Sequence, residues 1–354
     1  HGTATRYPFQ ANTYGLPAKV IEECVAGFLN VARPDLRRVA PPPHPPTSTP
    51  VLSFHDWTLH TFGAGIAKHF MFPYNEKLWK VPLKRMTTEW VAPFVPRPKI
   101  EEVLYGALTD QKKFFGYNAS FRYPLRGGIQ ALPDSLAARC VAAGVRLELG
   151  CPVETVDLNE KVVEAANLGQ IRYQKLVNTL PLTEFLDIAE DLPASVRSDR
   201  SGLSWTTVHC LNLGVARAKI SDRHWIYYPE KRYPFYRAGI SSNFSPYAAP
   251  RGTTSFYIEM SSRPGERFSR EAMEPRVLQG LRDGGLLKTS DRIAAKLWMT
   301  LPIAYVTYDR HRAMALPRLF SWLKKNETES IGRYGAWKYS FMEEAIMDGK
   351  RCAD

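Results

Sequence analysis

The segment IGRYGAWKYSFMEEAIMDGK, residues 331–350, gathers residue types that bind anionic groups. Gly332 and Gly335 allow close backbone approach, and Arg333 supplies a guanidinium. Ser340 and Glu343 have capping-box spacing ahead of the apolar Ala345, Ile346 and Met347. A helix is therefore predicted to begin there, with unpartnered N–H groups and the positive dipole end at its start. This combination suits a pyrophosphate or an electron-rich ring edge. Spacing alone describes a surface loop before a capped helix equally well.

A second chemical cluster is HWIYYPEKRYPFYRAGISSNFSPY, residues 224–247. Arginines and tyrosine hydroxyls such as Arg237 and Tyr227 are good donors to a diphosphate, and aromatic rings suit a uracil or sugar face. The rival reading is that Trp225, Tyr227, Tyr228 and Phe235 are strand residues of high β propensity. No Ser-His-Asp or paired-carboxylate pattern stands out. His60, His69, His209 and His224 are scattered and read as structural. FGAGIAK, residues 62–68, approaches a G-x-G-x-x-G fingerprint but carries Lys68 at its third position. It follows a helical run rather than an apolar strand, so it reads as a helix-packing turn.

The elements that must hold these residues change character along the chain. Helical periodicity runs over 17–31 and over 54–79, where Trp57, Phe62, Ile66 and Phe70 recur. The proline-rich APPPHPPTSTP, 40–50, reads as a surface linker. A further helix is predicted at 99–110 and a short one at 134–144. Strands are predicted at 145–150 and 152–158, a hairpin at 161–173, and a buried strand at 175–182. Several strand-like runs follow between about 203 and 262. A strand, a loop and a helix end the chain. The texture is mixed α+β or α/β, and no repeat is visible.

The chain has 354 residues, 44% of them hydrophobic, enough for more than one core. Its net charge of +12 favours an anionic partner. That partner could be nucleic acid, a membrane surface or a phosphorylated small molecule, and the dispersal of the basic residues, with no dense run, argues against nucleic acid. The absence of an 18-residue apolar run argues against a membrane span. The five cysteines lack metal or disulfide spacing, so no metal is expected and a cytoplasmic location fits best.

GRYGAWKY followed by ME resembles the C-terminal FAD-binding motif of the UDP-galactopyranose mutases and related flavin oxidoreductases, a group that includes the amine and protoporphyrinogen oxidases. The resemblance covers nearly the whole chain. RYPFQANTYGLP at the start, FMFPYNEKLW at 70–79, FGYNASFRYPLRGGIQAL at 115–132, CPVETVD at 151–157 and LPIAYVTYDRHR at 301–312 all have counterparts. It implies that Gly127, Gly128, Val153, Gly332, Arg333, Phe341, Met342 and Glu343 line the cofactor. Val153 would touch the adenine and Arg333 a phosphate. It further implies that Tyr74, Trp79, Asn118, Trp225, Tyr227, Arg237, Tyr305 and Tyr339 line the substrate, with Tyr227, Arg237, Tyr305 and Tyr339 at the diphosphate.

The implied fold is a glutathione-reductase-like FAD domain assembled from residues 1–11, 118–185 and 325–354. A helical insert would span 12–117 and a mixed-sheet substrate domain 186–324. The family's usual opening strand and G-x-G-x-x-G turn have no match here. The resemblance therefore predicts an N-terminally truncated fold that alone holds FAD weakly or not at all. Shortly after the K-x-W stretch, mutases carry a substrate-binding arginine. The register places Phe94 there, with Arg97 three residues on.

The implied activity is interconversion of UDP-galactopyranose and UDP-galactofuranose by reduced flavin. The partner would be a nucleotide-sugar-like small molecule, NAD(P)H would be a possible reductant, and no catalytic side chain is required. The alternatives are a flavin oxidase or dehydrogenase of the protoporphyrinogen oxidase or amine oxidase type, and a non-catalytic sugar-nucleotide-binding remnant.

Overall fold

The computed structural model describes residues 2–33, 52–113, 115 and 120–354. The proline-rich stretch 40–50 and Asn118 lie outside the described residues. The chain divides into two compact units, 1–129 with 206–302 and 130–205 with 303–354. The first unit thus contains both the helical stretch and most of the mixed sheet, which the sequence reading assigned to separate domains.

In the first unit, helix α1 (Ala18–Ala32) buries Val20, Cys24 and Phe28 at helical spacing. Helix α2 (Phe54–Ile66) is capped by Ser53, whose hydroxyl accepts from the Asp56 N–H at 3.1 Å. The two helices meet through glycines. A Cβ on Gly65 would stand 2.0 Å from the Glu23 carbonyl oxygen, and one on Gly63 would stand 2.0 Å from that of Gly27. Gly63 also has φ +75, inside a kink of α2. FGAGIAK is therefore the helix-packing turn that its sequence context predicts. A π-helical turn (Ala67–Met71) leads into α3 (Phe72–Trp79). The short α4 (Val91–Phe94) and α5 (Ile100–Leu108) follow.

The sheet has the order β6-β7-β8-β5-β9. Its strands are β5 (Trp205–Val215), β6 (Trp225–Tyr227), β7 (Arg237–Ile240), β8 (Thr254–Ser262) and β9 (Ile293–Val306). The β6-β7-β8-β5 run is antiparallel, with Tyr227 opposite Arg237 and Arg237 opposite Glu259. Alternation along β5 and β8 buries Leu211, Leu213, Phe256 and Ile258. Val277 and Leu281 of α9 (Arg270–Asp283) join that core. Burying so many large side chains is what holds the sheet rigid, at roughly 1.5–3 kcal/mol each.

The second unit holds α6 (Ala131–Ala142) and the antiparallel meander β1 (Val153–Asp157), β2 (Val162–Ala165) and β3 (Gly169–Arg172). Strand β4 (Leu176–Asn178) pairs in parallel with β10 (Thr328–Ser330). Helices α7 (Leu182–Ile188), α8 (Ala194–Ser201) and α10 (Arg310–Lys325) supply its buried Leu182, Phe185, Leu186, Val196, Leu319 and Leu323. A one-turn α11 (Gly332–Gly335) precedes α12 (Met342–Ala353).

Two expectations are corrected. Residues 145–150 form no strand, and Val145, Leu147 and Leu149 are exposed. Their alternation fits a strand, but no strand is assigned there to pair with it. The stretch 175–182 forms only the three-residue β4, whose Val177 is half-exposed. Helix α6 buries none of its residues.

Candidate functional site

In the first unit, the ligand-capable residues lie on β6, β7 and α3. Tyr227 sits among rings: its centroid is 5.0 Å from Tyr74, 6.0 Å from Tyr7 and 6.5 Å from Phe70. Phe70 stacks on Tyr74 at 5.3 Å and on Phe9 at 5.0 Å. Tyr7, Phe9, Phe70 and Tyr227 border a cavity of about 500 Å³ that also meets Arg6, His69, Arg223, Trp225 and Glu230. Planar faces with nearby charges suit a flat heteroaromatic ring. Tyr7, Phe9 and Phe70 were absent from the sequence-derived site. Only the matching segments in which they stand hinted at them.

Arg237 is held by Glu259 across the β7–β8 ladder. Its guanidinium donates to both carboxylate oxygens at 2.6 Å, and the Tyr236 hydroxyl donates to the same group at 2.5 Å. The pair is only partly exposed, 25% for the arginine side chain and 13% for the glutamate. Arg237 is therefore oriented but partly neutralised. Tyr257 lies against Gly239, where a Cβ would clash with its ring, and burial pushes its hydroxyl up to about 12.

Trp225 packs beside Phe121 at 5.7 Å and Phe244 at 6.1 Å. Trp79 is 1% exposed, donates to Asn75 and packs on Trp90, so it is a core residue with no open face. Arg97 lies over the Trp57 ring at 5.3 Å, while Phe94 is half-buried. Gly127 and Gly128 both have positive φ, +78 and +64. Among the described residues, a Cβ placed on Gly128 would have the Tyr123 hydroxyl alone within 4 Å, at 3.7 Å.

Helix α3 also carries Lys77, half-buried, with its ammonium aimed into the β6–β7 connection. It donates to the carbonyls of Tyr228, Glu230 and Phe235 at 2.7, 2.7 and 2.9 Å. Burial pulls its pKa down, to about 7, while the Glu230 charge acts the other way.

In the second unit, Arg333, Tyr305 and Tyr339 come together. Arg333 lies over the rings of Tyr305, Tyr334 and Tyr339 at 5.3, 5.6 and 5.1 Å, and Tyr305 stacks on Tyr339 at 5.8 Å. Two of its N–H groups donate to the carbonyls of Ser340 at 2.5 Å and Ala304 at 3.0 Å. The Tyr339 N–H donates to the Tyr308 hydroxyl at 2.7 Å. Arg312 grips the carbonyl of Trp337, a buried residue with φ +48.

The predicted capping box is not formed. The N-cap of α12 is Phe341, with no side-chain cap, because the helix begins one residue later than the Ser340 register requires. Ser340 instead donates weakly to the Phe341 carbonyl, and Lys338 holds Glu344. Phe341 and Met342 are exposed beside Glu343 at this uncapped start. Gly332 has φ +77 with no atom of the described residues within 4 Å of a would-be Cβ, whereas Gly335 fits tightly against the Asn178 carbonyl. Val153 is 37% exposed on β1.

The sequence profile of a family described as flavin containing amine oxidoreductase matches residues 99–354. The chain belongs to that family. Its cofactor is FAD. Among solved structures, a reduced UDP-galactopyranose mutase is 26% identical with a TM-score of 0.83, over 95% of this chain and 70% of that one. A putrescine oxidase double mutant gives 0.62 at 15% identity, over 99% and 77%. A proposed protoporphyrinogen oxidase from Exiguobacterium sp. 255-15 gives 0.62 at 13% identity, over 87% and 68%. The latter two speak for the fold alone.

The residues present fit a dinucleotide. The start of α12 has no side-chain cap, Gly332 leaves open space at a positive φ among the described residues, and Arg333 donates to the Ser340 carbonyl beside that start. No metal-ligating cluster occurs among the described residues, and no helix among them is long and apolar enough to cross a membrane.

Proposed function

We propose that this chain carries the substrate-facing parts of an FAD-dependent enzyme acting on a UDP-galactopyranose-like nucleotide sugar, with NAD(P)H as reductant. The observation that carries the reading is the grouping of Arg333 with the stacked Tyr305 and Tyr339, a donor set matched to phosphate oxygens. The likeness to a UDP-galactopyranose mutase at 26% identity supports it.

When bound, FAD supplies the covalent chemistry at the sugar. On this reading Tyr305 and Tyr339 in the second unit meet the substrate's diphosphate, and Arg333 a phosphate of the cofactor. Taken by itself, the first unit offers Arg237, its guanidinium held by Glu259, and the flat faces of the Tyr74 and Tyr227 rings. Val153, Gly332 and the start of α12 hold the cofactor. The second unit is read as part of a glutathione-reductase-like domain, in which further structure covers the exposed Val177, Ile346 and Met347.

The family match itself favours a second reading, hydride transfer from an amine or similar donor to the flavin. The test is reduction of FAD-loaded protein with NADPH, followed by incubation with UDP-galactofuranose. Conversion to the pyranose without net oxidation is the expected result. Turnover coupled to oxygen replaces it with the oxidase reading. Failure to take up FAD in any form of the protein leaves a non-catalytic remnant.

A further inference from the structure

Lys77 has a role that neither the family match nor the proposed reaction assigns. Strands β6 and β7 are joined by residues 228–236, and the two ends of that connection are the opposed pair Tyr227 and Arg237. The connection is not a tight hairpin. Only Tyr228 and Tyr236 continue the ladder, through an N–H···O bond of 2.8 Å, and the Tyr233 N–H turns back to the Glu230 carbonyl at 3.2 Å. The carbonyls of Tyr228, Glu230 and Phe235 converge on one point, and the Lys77 ammonium occupies it. Three acceptors around a group with three N–H donors leave none of those protons unused. Losing the Lys77 ammonium withdraws a donor from all three carbonyls, of which that of Glu230 keeps the Tyr233 N–H, and a carbonyl shut from water without a donor is costly.

The same helix also carries Tyr74, one turn before Lys77, whose ring meets Tyr227 at 5.0 Å and Tyr236 at 6.1 Å. Helix α3 thus grips the connection at its centre and touches it at both ends. The rings of Tyr228, Tyr233 and Phe235 anchor the other side of the connection in the core, with centroids 4.7 to 5.7 Å apart.

We infer that Lys77 is a positioning residue: its ammonium serves as a built-in cation for the 228–236 connection and thereby fixes Tyr227 and Arg237 relative to Tyr74. That these three side chains face a ligand rests on the nucleotide-sugar reading above, whereas the clamp itself does not.

The experiment compares the wild-type chain with Lys77→Ala by amide hydrogen exchange and mass spectrometry, and titrates both with UDP followed by tryptophan fluorescence. In Lys77→Ala, exchange across 228–240 is expected to quicken by about tenfold or more while amides of α1 and α2 hold steady. Added n-propylammonium, which replaces the missing chain and charge, should restore protection, and n-propanol should not. UDP affinity should fall about tenfold and recover with the same amine. If Lys77→Ala fails to fold, Lys77→Arg is used. Its planar fork cannot meet three converging carbonyls, so the same local quickening is expected. Unchanged exchange over 228–240, an equal rise throughout the unit, or no difference between amine and alcohol would each overturn the inference. Wild-type protein that ignores UDP would instead count against the nucleotide-sugar reading, and the exchange result would still decide the clamp.

Discussion

Replacing Arg333 by lysine isolates what its planar fork contributes, because the charge is retained. The guanidinium reaches two carbonyls in different parts of the chain, Ser340 at 2.5 Å and Ala304 at 3.0 Å. An ammonium, a single point on a shorter side chain, can keep one of these contacts but not both together with the three ring faces. A hydrogen bond from a charged donor contributes about 1.5–3 kcal/mol, and a cation over an exposed ring about 0.5–1 kcal/mol. Arg333 is half-buried, so solvent takes up part of the loss. The expected destabilisation is about 1–2 kcal/mol for Arg333→Lys. For Arg333→Met, which leaves both carbonyls without this donor, it is about 2–4 kcal/mol. Urea unfolding followed by circular dichroism measures both, and the smaller change corresponds to a thermal shift of roughly 2–8 °C. Arg333→Lys within about 0.3 kcal/mol of the wild type would refute the two-carbonyl anchor. Equal losses for lysine and methionine would show that the fork, not the charge, is all that matters.

Two further outcomes follow from other parts of the molecule. Gly65→Ala places a methyl 2.0 Å from the Glu23 carbonyl oxygen, a backbone atom that no rotamer change can move. A loss of about 3 kcal/mol or more is expected, read as a fall in the denaturation midpoint or in soluble yield. Asp291 is held by Arg217 through two contacts of 2.7 Å and accepts the Lys288 N–H, which lower its pKa to about 2. A carboxylate with a depressed folded pKa adds stability above its unfolded pKa of about 3.9 and loses it as pH falls toward about 2. Melting temperature measured between pH 5 and pH 2 should fall more steeply in the wild type than in Asp291→Asn. Parallel curves would contradict this.

Much of the architecture could be read from local pattern. The helices near 18–32 and 54–79 and the strands of the large sheet follow from periodicity that burial then satisfied, and the β2–β3 hairpin forms where the sequence places it although β3 is exposed along its length. The packing role of FGAGIAK was legible because a helical run, not a strand, precedes it. Three features were not legible, and each depends on distant partners. Residues 145–150 alternate like a strand, but a strand needs a neighbour to accept its ladder. The Ser340 cap fails by one residue, a shift that local spacing does not encode. Lys77 looks like any solvent-facing lysine until residues some 150 positions away are folded around it. The site was partly readable: Arg333, Tyr305 and Tyr339 meet as a set, whereas Trp79 turns inward to the core.

Trp337 sits with φ +48 in a region that non-glycine residues enter at a cost of about 1–2 kcal/mol. A glycine would remove that cost but also the fully buried indole that meets Trp205 edge-on at 5.8 Å. Arg312 then fastens the same peptide from its carbonyl side. The bend between Arg333 and the start of α12 is thus set by the chain's own packing. On the proposed reading, a phosphate reaching Arg333 meets a turn already shaped and spends little of its attraction on shaping it.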